Sequence, residues 1–144
     1  MIHSNAKIGS NTKVWYPELS NIGDCVIGED CRIHSHVWIG DRVSIGHSVR
    51  VQAFSFIPAG VMIGDNVFIG PRVTFTNDKN PPSREADWLH TIVEDYVVIG
   101  AGAVILPGIT LGEGCLVGAG SVVTKSVPKG ATVYGNPATI HRRE

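Results

Sequence analysis

An apolar residue recurs at every sixth position through most of this 144-residue chain. Ile27, Ile33, Ile39, Ile45, Val51, Ile57, Ile63, Ile69 and Phe75 form one unbroken series, and Val93, Ile99, Ile105, Leu111, Val117 and Val123 form a second. The residue two before each is usually Val or something small. A helix repeats every 3.6 residues and a simple strand alternates every two, so neither sustains this spacing. A short strand, a corner and a new strand, repeated, do sustain it, and the sequence predicts an all-β parallel helix of hexapeptides. Composition agrees: 18 Val and 15 Ile against 5 Leu favour short extended segments, and 17 Gly with 8 Pro supply corners.

The period also assigns residues that carry no chemistry. Cys25, Cys31 and Cys115 fall in the small set two before the apolar series, which makes them interior fillers. Gly28, Gly40, Gly46, Gly64, Gly70, Gly100, Gly112 and Gly118 each follow an apolar position, where a corner benefits from a missing Cβ. The start is less regular, so residues 1–26 read as a capping coil, and the period lapses again at Pro128, so residues 128–144 are expected to leave the body as a tail. A net charge of -1 without basic, aromatic-interleaved runs argues against nucleic acid. No run of about 18 apolar residues predicts a membrane span, and the chain reads as soluble and cytoplasmic. One interruption stands out: Phe75 and Val93 are 18 residues apart where the period needs six, so residues 76–92 must be extruded as a loop, a feature that rigid scaffolds often use for function.

In this pattern the chain resembles the left-handed β-helix acyltransferases, whose triangular coils stack residues 18 apart. That resemblance implies a left-handed coil and a homotrimer with parallel axes. It places Trp38 under Phe56, Val98 under Leu116 and Val104 under Val122, giving outer apolar stripes of the kind that mark interfaces. It also stacks the corners Gly100-Ala101-Gly102 and Gly118-Ala119-Gly120, which look like the pantetheine track of the cosubstrate acetyl-CoA, with Ala101, Gly118 and Ala119 against it. The segment GAGSVVTKSVPKGATVYGNPATIHRR is similar to the family's terminal CoA signature and adds Lys125, Pro137, Arg142 and Arg143. The two arginines have a second reading as solvated tail charges.

The acceptor side rests on Phe75-Thr76-Asn77-Asp78, followed by Asn80-Pro81, and on Val51-Gln52. These resemble the N-acetyltransferases that act on nucleotide-linked 3-amino sugars of surface polysaccharides. The resemblance implies that Asn77 and Asp78 contact the sugar amine or neighbouring hydroxyls and that Gln52 helps to place it, with His34 on the same edge as a fallback base. Asn77 and Asp78 have a second reading, as caps of a turn through local side-chain bonds. The family's usual Arg after the first Pro is here Pro82, with Arg84 displaced. Trp88 reads either as a stacking surface for a nucleobase or as an aromatic that packs the loop.

Sugar O-acetyltransferases of the same fold carry a His before the loop Pro, where this chain has Asn80. An amide takes no proton near neutrality, whereas an amine attacks a thioester once neutral, so the residues favour N-acetylation. Two further readings stay open. Ile45-Gly46-His47 is similar to a corner of the zinc carbonic anhydrases, but Gln52 stands where their second His belongs, so no metal is expected. A non-catalytic interaction prism is the other.

Overall fold

The computed structural model describes the backbone over residues 1–143 and side chains over 1–141. Each hexad folds as a two-residue strand, and successive strands occupy successive faces of a triangular, left-handed parallel β-helix. Face 1 holds Lys7–Ile8, Val26–Ile27, Ser44–Ile45, Met62–Ile63, Ile92–Val93 and Thr110–Leu111. Face 2 holds Lys13–Val14, Arg32–Ile33, Arg50–Val51, Phe68–Ile69, Val98–Ile99, Leu116–Val117 and Ala131–Gly135. Face 3 holds Asn21–Ile22, Trp38–Ile39, Phe56–Ile57, Thr74–Phe75, Val104–Ile105 and Val122–Val123. The chain therefore turns three edges per coil, which are named here 1–2, 2–3 and 3–1 after the faces they join.

The second residue of each strand and the residue two before it point inward, so Val37 with Ile39, or Val49 with Val51, are fully buried. Burying each such side chain contributes about 2 kcal/mol, and stacking continues the columns from coil to coil, Ile27 on Ile45 and Ile33 on Val51. The three thiols are buried in these columns. Burial, joined by the charges of Asp24 and Asp41, pushes the Cys25 thiol up to about 11, and burial pushes Cys115 to about 11 as well. Cys31 is raised by burial against opposing hydrogen bonds. Outside, Trp38 stacks on Phe56 with ring centroids 6.2 Å apart, and Val98 pairs with Leu116 and Val104 with Val122 in the expected register. No helix among the described residues is long and apolar enough to cross a membrane.

One expectation needs correction. The chain stays on the prism after Pro128: Val127 bridges Leu111, Ala131–Gly135 stacks parallel on Leu116–Val117, and Ala138–Arg143 returns antiparallel. The period lapses because the last strand lengthens, while Ala131 and Val133 still point inward. The returning strand covers an edge that would otherwise present unpaired backbone groups. The glycines stand where a missing Cβ was expected, and the neighbouring coil gives the reason. Positive φ falls three residues after the inward aliphatic, at Asp30 (59°), Arg42 (59°), Asn66 (57°) and Tyr96 (61°). The glycine directly after the aliphatic is required by contact: a Cβ on Gly28 would sit 2.6 Å from the Gly46 carbonyl oxygen of the next coil.

Gly28→Ala should therefore cost on the order of 2–4 kcal/mol in chemical denaturation, while Asn66→Gly, at a strained φ, should change stability by less than about 1 kcal/mol. Equal losses from both would remove the contact explanation. In the native protein none of the three thiols should react with a disulfide reagent at pH 8, and all should react in denaturant.

Candidate functional site

The residues with chemical potential divide between two edges. On edge 2–3 the corners after face 2 bring His34, Gln52, Gly100 and Gly118 into one column, held by coil-to-coil bonds from His34 N–H to Val51 O (2.9 Å), Gln52 N–H to Ile69 O (2.9 Å) and Gly100 N–H to Val117 O (2.8 Å). Ala101 and Ala119 are exposed beside them, and a Cβ on Gly102 or Gly120 would meet nothing within 4 Å. The upper half of this edge is thus bare of side chains. Pro137 lies in the exposed turn between the two terminal strands, next to Tyr134, whose Cβ approaches within 2.7 Å of where a Gly118 Cβ would be. In the lower half, the His34 ring lies flat on Trp15 at 4.8 Å, and Gln52 is half-buried.

Asn77, Asp78, Arg84 and Trp88 lie beyond edge 3–1, in the loop that leaves after Thr74–Phe75. Face 3 separates them from Gln52 and His34, so one chain does not bring the two sets together. Lys125 is exposed on edge 3–1 too, one face away from the bare column. The side chains of Arg142 and Arg143 lie outside the described residues.

The loop is tied down by its own polar groups. Asn77 Nδ2 donates to the Ala59 carbonyl of the coil below (3.1 Å), and Leu89 N–H donates to the Asn77 carbonyl (2.7 Å), which closes the loop at its neck. Asp78 accepts from Asn80 N–H (3.2 Å) on one oxygen and from Ser83 N–H (2.7 Å) on the other. Desolvation opposes the charged form, but the Ser83 and Asn80 hydrogen bonds outweigh it and hold the Asp78 carboxyl below its ordinary 3.8. Its contribution to loop order is complete above that ordinary value and is lost as pH falls through the lower folded one. Arg42, at a corner one coil below Ala59, forms an ion pair with Glu85 at 2.5 Å in the short 3-10 turn Glu85–Asp87. Arg84 pairs with Asp87 at 3.3 Å.

Between this loop, face 3 and the N-terminal residues 1–3 lies a cavity of about 730 Å³, walled by Trp38, Phe56, Asn77 and Trp88, with Arg42 and Glu85 at its polar side. Trp88 is half-buried there, and its Nε1 is buried without a partner among the described residues. The cavity offers aromatic walls, one unused indole donor and a carboxamide with its oxygen uncommitted, the usual make-up of a small-molecule site. No cluster of three metal-ligating side chains occurs among the described residues.

His90 reads from the sequence only as a histidine that a zinc site would have to recruit, not as an acceptor-site residue. It packs over Gly60, its Cδ2 2.9 Å from where a Cβ would stand, one residue from the carbonyl that Asn77 holds. Leu89 covers Gly108 in the same way, at 3.1 Å. Gly60 (φ 86°) and Gly108 (φ 75°) flank the insertion at corner positions where a Cβ would meet the returning loop, whereas a Cβ at the equivalent Gly102, Gly114 or Gly120 would meet nothing within 4 Å. That pair of glycines was the available signal that the loop returns across this edge.

The family profile of the bacterial transferase hexapeptide, in six repeats, matches residues 42–77 and 90–125, together half of the chain. A galactoside O-acetyltransferase of Lactococcus lactis subsp. lactis is 34% identical over 128 residues, covering 81% of this chain and 62% of that protein. A 2,3,4,5-tetrahydropyridine-2,6-dicarboxylate N-acetyltransferase of Staphylococcus aureus is 44% identical over 77 residues, 54% of this chain and 30% of that one. The chain spans less than two thirds of the length of these curated relatives. Among solved structures, a point mutant of AntD, an N-acyltransferase from Bacillus cereus in complex with dTDP and coenzyme A, superposes with a TM-score of 0.84 at 23% identity, over 96% of this chain and 84% of that one.

Because Asp78 ties the loop to itself, Asp78→Ala should speed protease cleavage within residues 79–87 about tenfold while leaving the melting temperature within about 2 °C. Cleavage at the wild-type rate would show that the carboxylate does not order the loop.

Proposed function

The chain belongs to the bacterial hexapeptide transferase family, and from that membership and its loop-covered cavity we propose that it transfers an acetyl group from acetyl-CoA to the amine of a nucleotide-linked amino sugar. A 3-amino sugar on a UDP or dTDP carrier, destined for surface polysaccharide, is the acceptor that the loop sequence fits best. The observation that carries this reading is the aromatic-lined cavity between the extruded loop and face 3, with Asn77 at its neck. The curated relatives are acetyltransferases, and the AntD structure holds both a nucleoside diphosphate and coenzyme A.

In this reading acetyl-CoA lies along the bare column of edge 2–3, its pantetheine against Ala101, Gly118 and Ala119 and its far end toward Pro137, with Arg142, Arg143 and the Lys125 of a neighbouring copy supplying charge to its phosphates. The amino sugar sits under the loop with Trp88 beside its nucleotide and Arg84 toward its phosphates. Asn77 orients the amine, Asp78 holds the loop that carries Asn77, and Gln52 contacts the sugar. The neutral amine attacks the thioester carbonyl, a C–N bond forms, the C–S bond breaks, and the departing thiolate takes the amine proton. Placement supplies much of the rate, and backbone N–H groups stabilise the oxyanion. Because the two sets of residues lie on different edges of one prism, the site needs two copies, and the working unit is a cytoplasmic homotrimer in which the loop of one subunit covers edge 2–3 of the next.

His90 favours a second reading. An imidazole near the Asn77 anchor supplies the base that hydroxyl acceptors require, and the Lactococcus relative is an O-acetyltransferase.

Thiol release from acetyl-CoA, measured with UDP- and dTDP-linked 3-amino and 4-amino sugars beside their hydroxy counterparts, decides between the two. Release with amino sugars alone is expected; release with hydroxy sugars that His90→Ala abolishes would establish the second reading. Asn77→Ala should lower kcat/KM about 100-fold with acetyl-CoA affinity unchanged. Co-refolding Asn77→Ala with Gln52→Ala subunits should restore turnover that neither has alone, and no recovery would place both residues in one subunit's site or outside it.

A further inference from the structure

Face 2 carries a charge pattern that the transfer reaction does not use. Its first three outward positions are Lys13, Arg32 and Arg50, and they stand directly opposite one another, Lys13 with Arg32 and Arg32 with Arg50. Adjacent strands are about 4.8 Å apart, and like charges facing each other across a sheet destabilise it. The face offers nothing to neutralise them, since the outward residues above Arg50 are Phe68, Val98 and Leu116. Among the described residues the ion pairs are Arg42 with Glu85, Arg84 with Asp87 and Lys129 with Glu113, so neither Arg32 nor Arg50 has a carboxylate within 4.0 Å. Lys13 is drawn away to the ring of Trp15, 4.4 Å from its centroid. The unneutralised charge is thus concentrated on the two arginines.

These arginines floor a groove of about 480 Å³ beside edge 1–2, bounded by Asp30, Ser48, Asn66 and Phe68. Arg32 is fixed in place, its Nη1 donating to the carbonyls of Asn11 (2.7 Å) and Cys31 (2.9 Å). Among the described residues, the side chains of Arg50, Ser48 and Asn66 make no hydrogen bond to the chain, although each can donate. Asp30 is the one carboxylate on the groove, and it pairs with neither guanidinium. A pair of cations, one of them anchored, with an unused hydroxyl and an unused amide beside them, is the donor set that phosphate oxygens satisfy.

We propose that this groove binds a phosphate-bearing ligand, with Arg32 and Arg50 bridged by the phosphate oxygens and Ser48 and Asn66 completing their hydrogen bonds. The anion removes the repulsion between the two strands, and Phe68 at the upper end gives an attached ring a surface. Inorganic diphosphate, a nucleoside diphosphate and coenzyme A share this chemistry. The site lies on face 2, away from the loop cavity, and does not depend on the acetyl-transfer reading.

The test is thermal unfolding of the full chain in millimolar pyrophosphate, UDP or coenzyme A, each against sodium chloride of matched ionic strength. Pyrophosphate should raise the melting temperature, because a ligand of the folded state stabilises it. Arg50→Ala should weaken that binding about tenfold or more, yet unfold no more easily than wild type without ligand, since it relieves a like-charge contact. Arg72→Ala removes a charge elsewhere on the surface and should leave the shift intact. A larger shift with UDP or coenzyme A that Phe68→Ala cancels would identify the source of the phosphate. No shift beyond matched salt, or a shift that Arg50→Ala leaves unchanged, would overturn the proposal. So would Arg50→Ala dissociating the oligomer with no pyrophosphate effect, because the arginines would then face carboxylates of a second copy.

Discussion

Hydrogen bonds between successive coils set the geometry on which the rest of the molecule depends. Gly28 N–H reaches Ile45 O at 2.8 Å, Gly46 N–H reaches Ile63 O at 2.9 Å, and Gly64 N–H reaches Val93 O at 2.8 Å, so the same contact climbs the prism coil by coil. Once that spacing is fixed, side chains have few options. Inward positions must be aliphatic and of similar volume to stack as columns, and the corner residue that touches the next coil can have no Cβ. Extra chain can enter only at a corner and must return in register, as residues 76–92 do when Val93 resumes the ladder on Ile63. Rigidity is the useful consequence: a polar loop that could not fold alone is held at a defined height above a fixed surface.

The coil itself was legible because its cause is local. A residue such as Ile39 or Val51 meets the same neighbours in every turn, so the requirement repeats in the sequence at the interval at which it repeats in space. What was not legible depends on contacts that occur once. The terminal strand Ala131–Gly135 lengthens and breaks the interval although it keeps the stacking. The glycines were identified as corners that need a missing Cβ, while the left-handed conformation falls three residues after the aliphatic, at positions such as Asn66 and Tyr96. Their real cause, a neighbouring coil at 2.6 Å from a would-be Cβ, is a distance and leaves no mark beyond the glycine itself.

Counting by 18 aligns His34 with Gln52 and Gly100 with Gly118, and allowing for the 12 extra residues of the loop joins the two pairs into one column of edge 2–3. It says less about the loop, because an insertion has no period. Asn77 and Asp78 were found by their sequence, yet their partners, Ala59 below and Ser83 within the loop, depend on how 17 residues close on themselves. The Arg42–Glu85 pair spans 43 positions for the same reason. His90 was not assigned to the acceptor site because what marks its place is Gly60, thirty residues earlier, where the loop crosses back.

The chemistry available at the neck of the loop turns on where a proton can go. Asp78 is a poor base: hydrogen bonds hold its pKa below 3.8 and both of its oxygens are already engaged, so near neutrality it has little tendency to take a proton. Asn77 spends its amide N–H on Ala59 and keeps an oxygen that can accept a hydrogen bond but not a proton. Such an oxygen is suited to an amine, which can donate one N–H to it while the lone pair points at the thioester and which discards its proton only after the C–N bond exists. A hydroxyl must lose its proton as it attacks, and Asn77 and Asp78 give that proton no destination. On the proposed reading a hydroxyl acceptor needs an imidazole, His90 turned toward the Asn77 neck or His34 of edge 2–3, and with His90 kept against Gly60 the amine is the nucleophile that these two loop residues can serve.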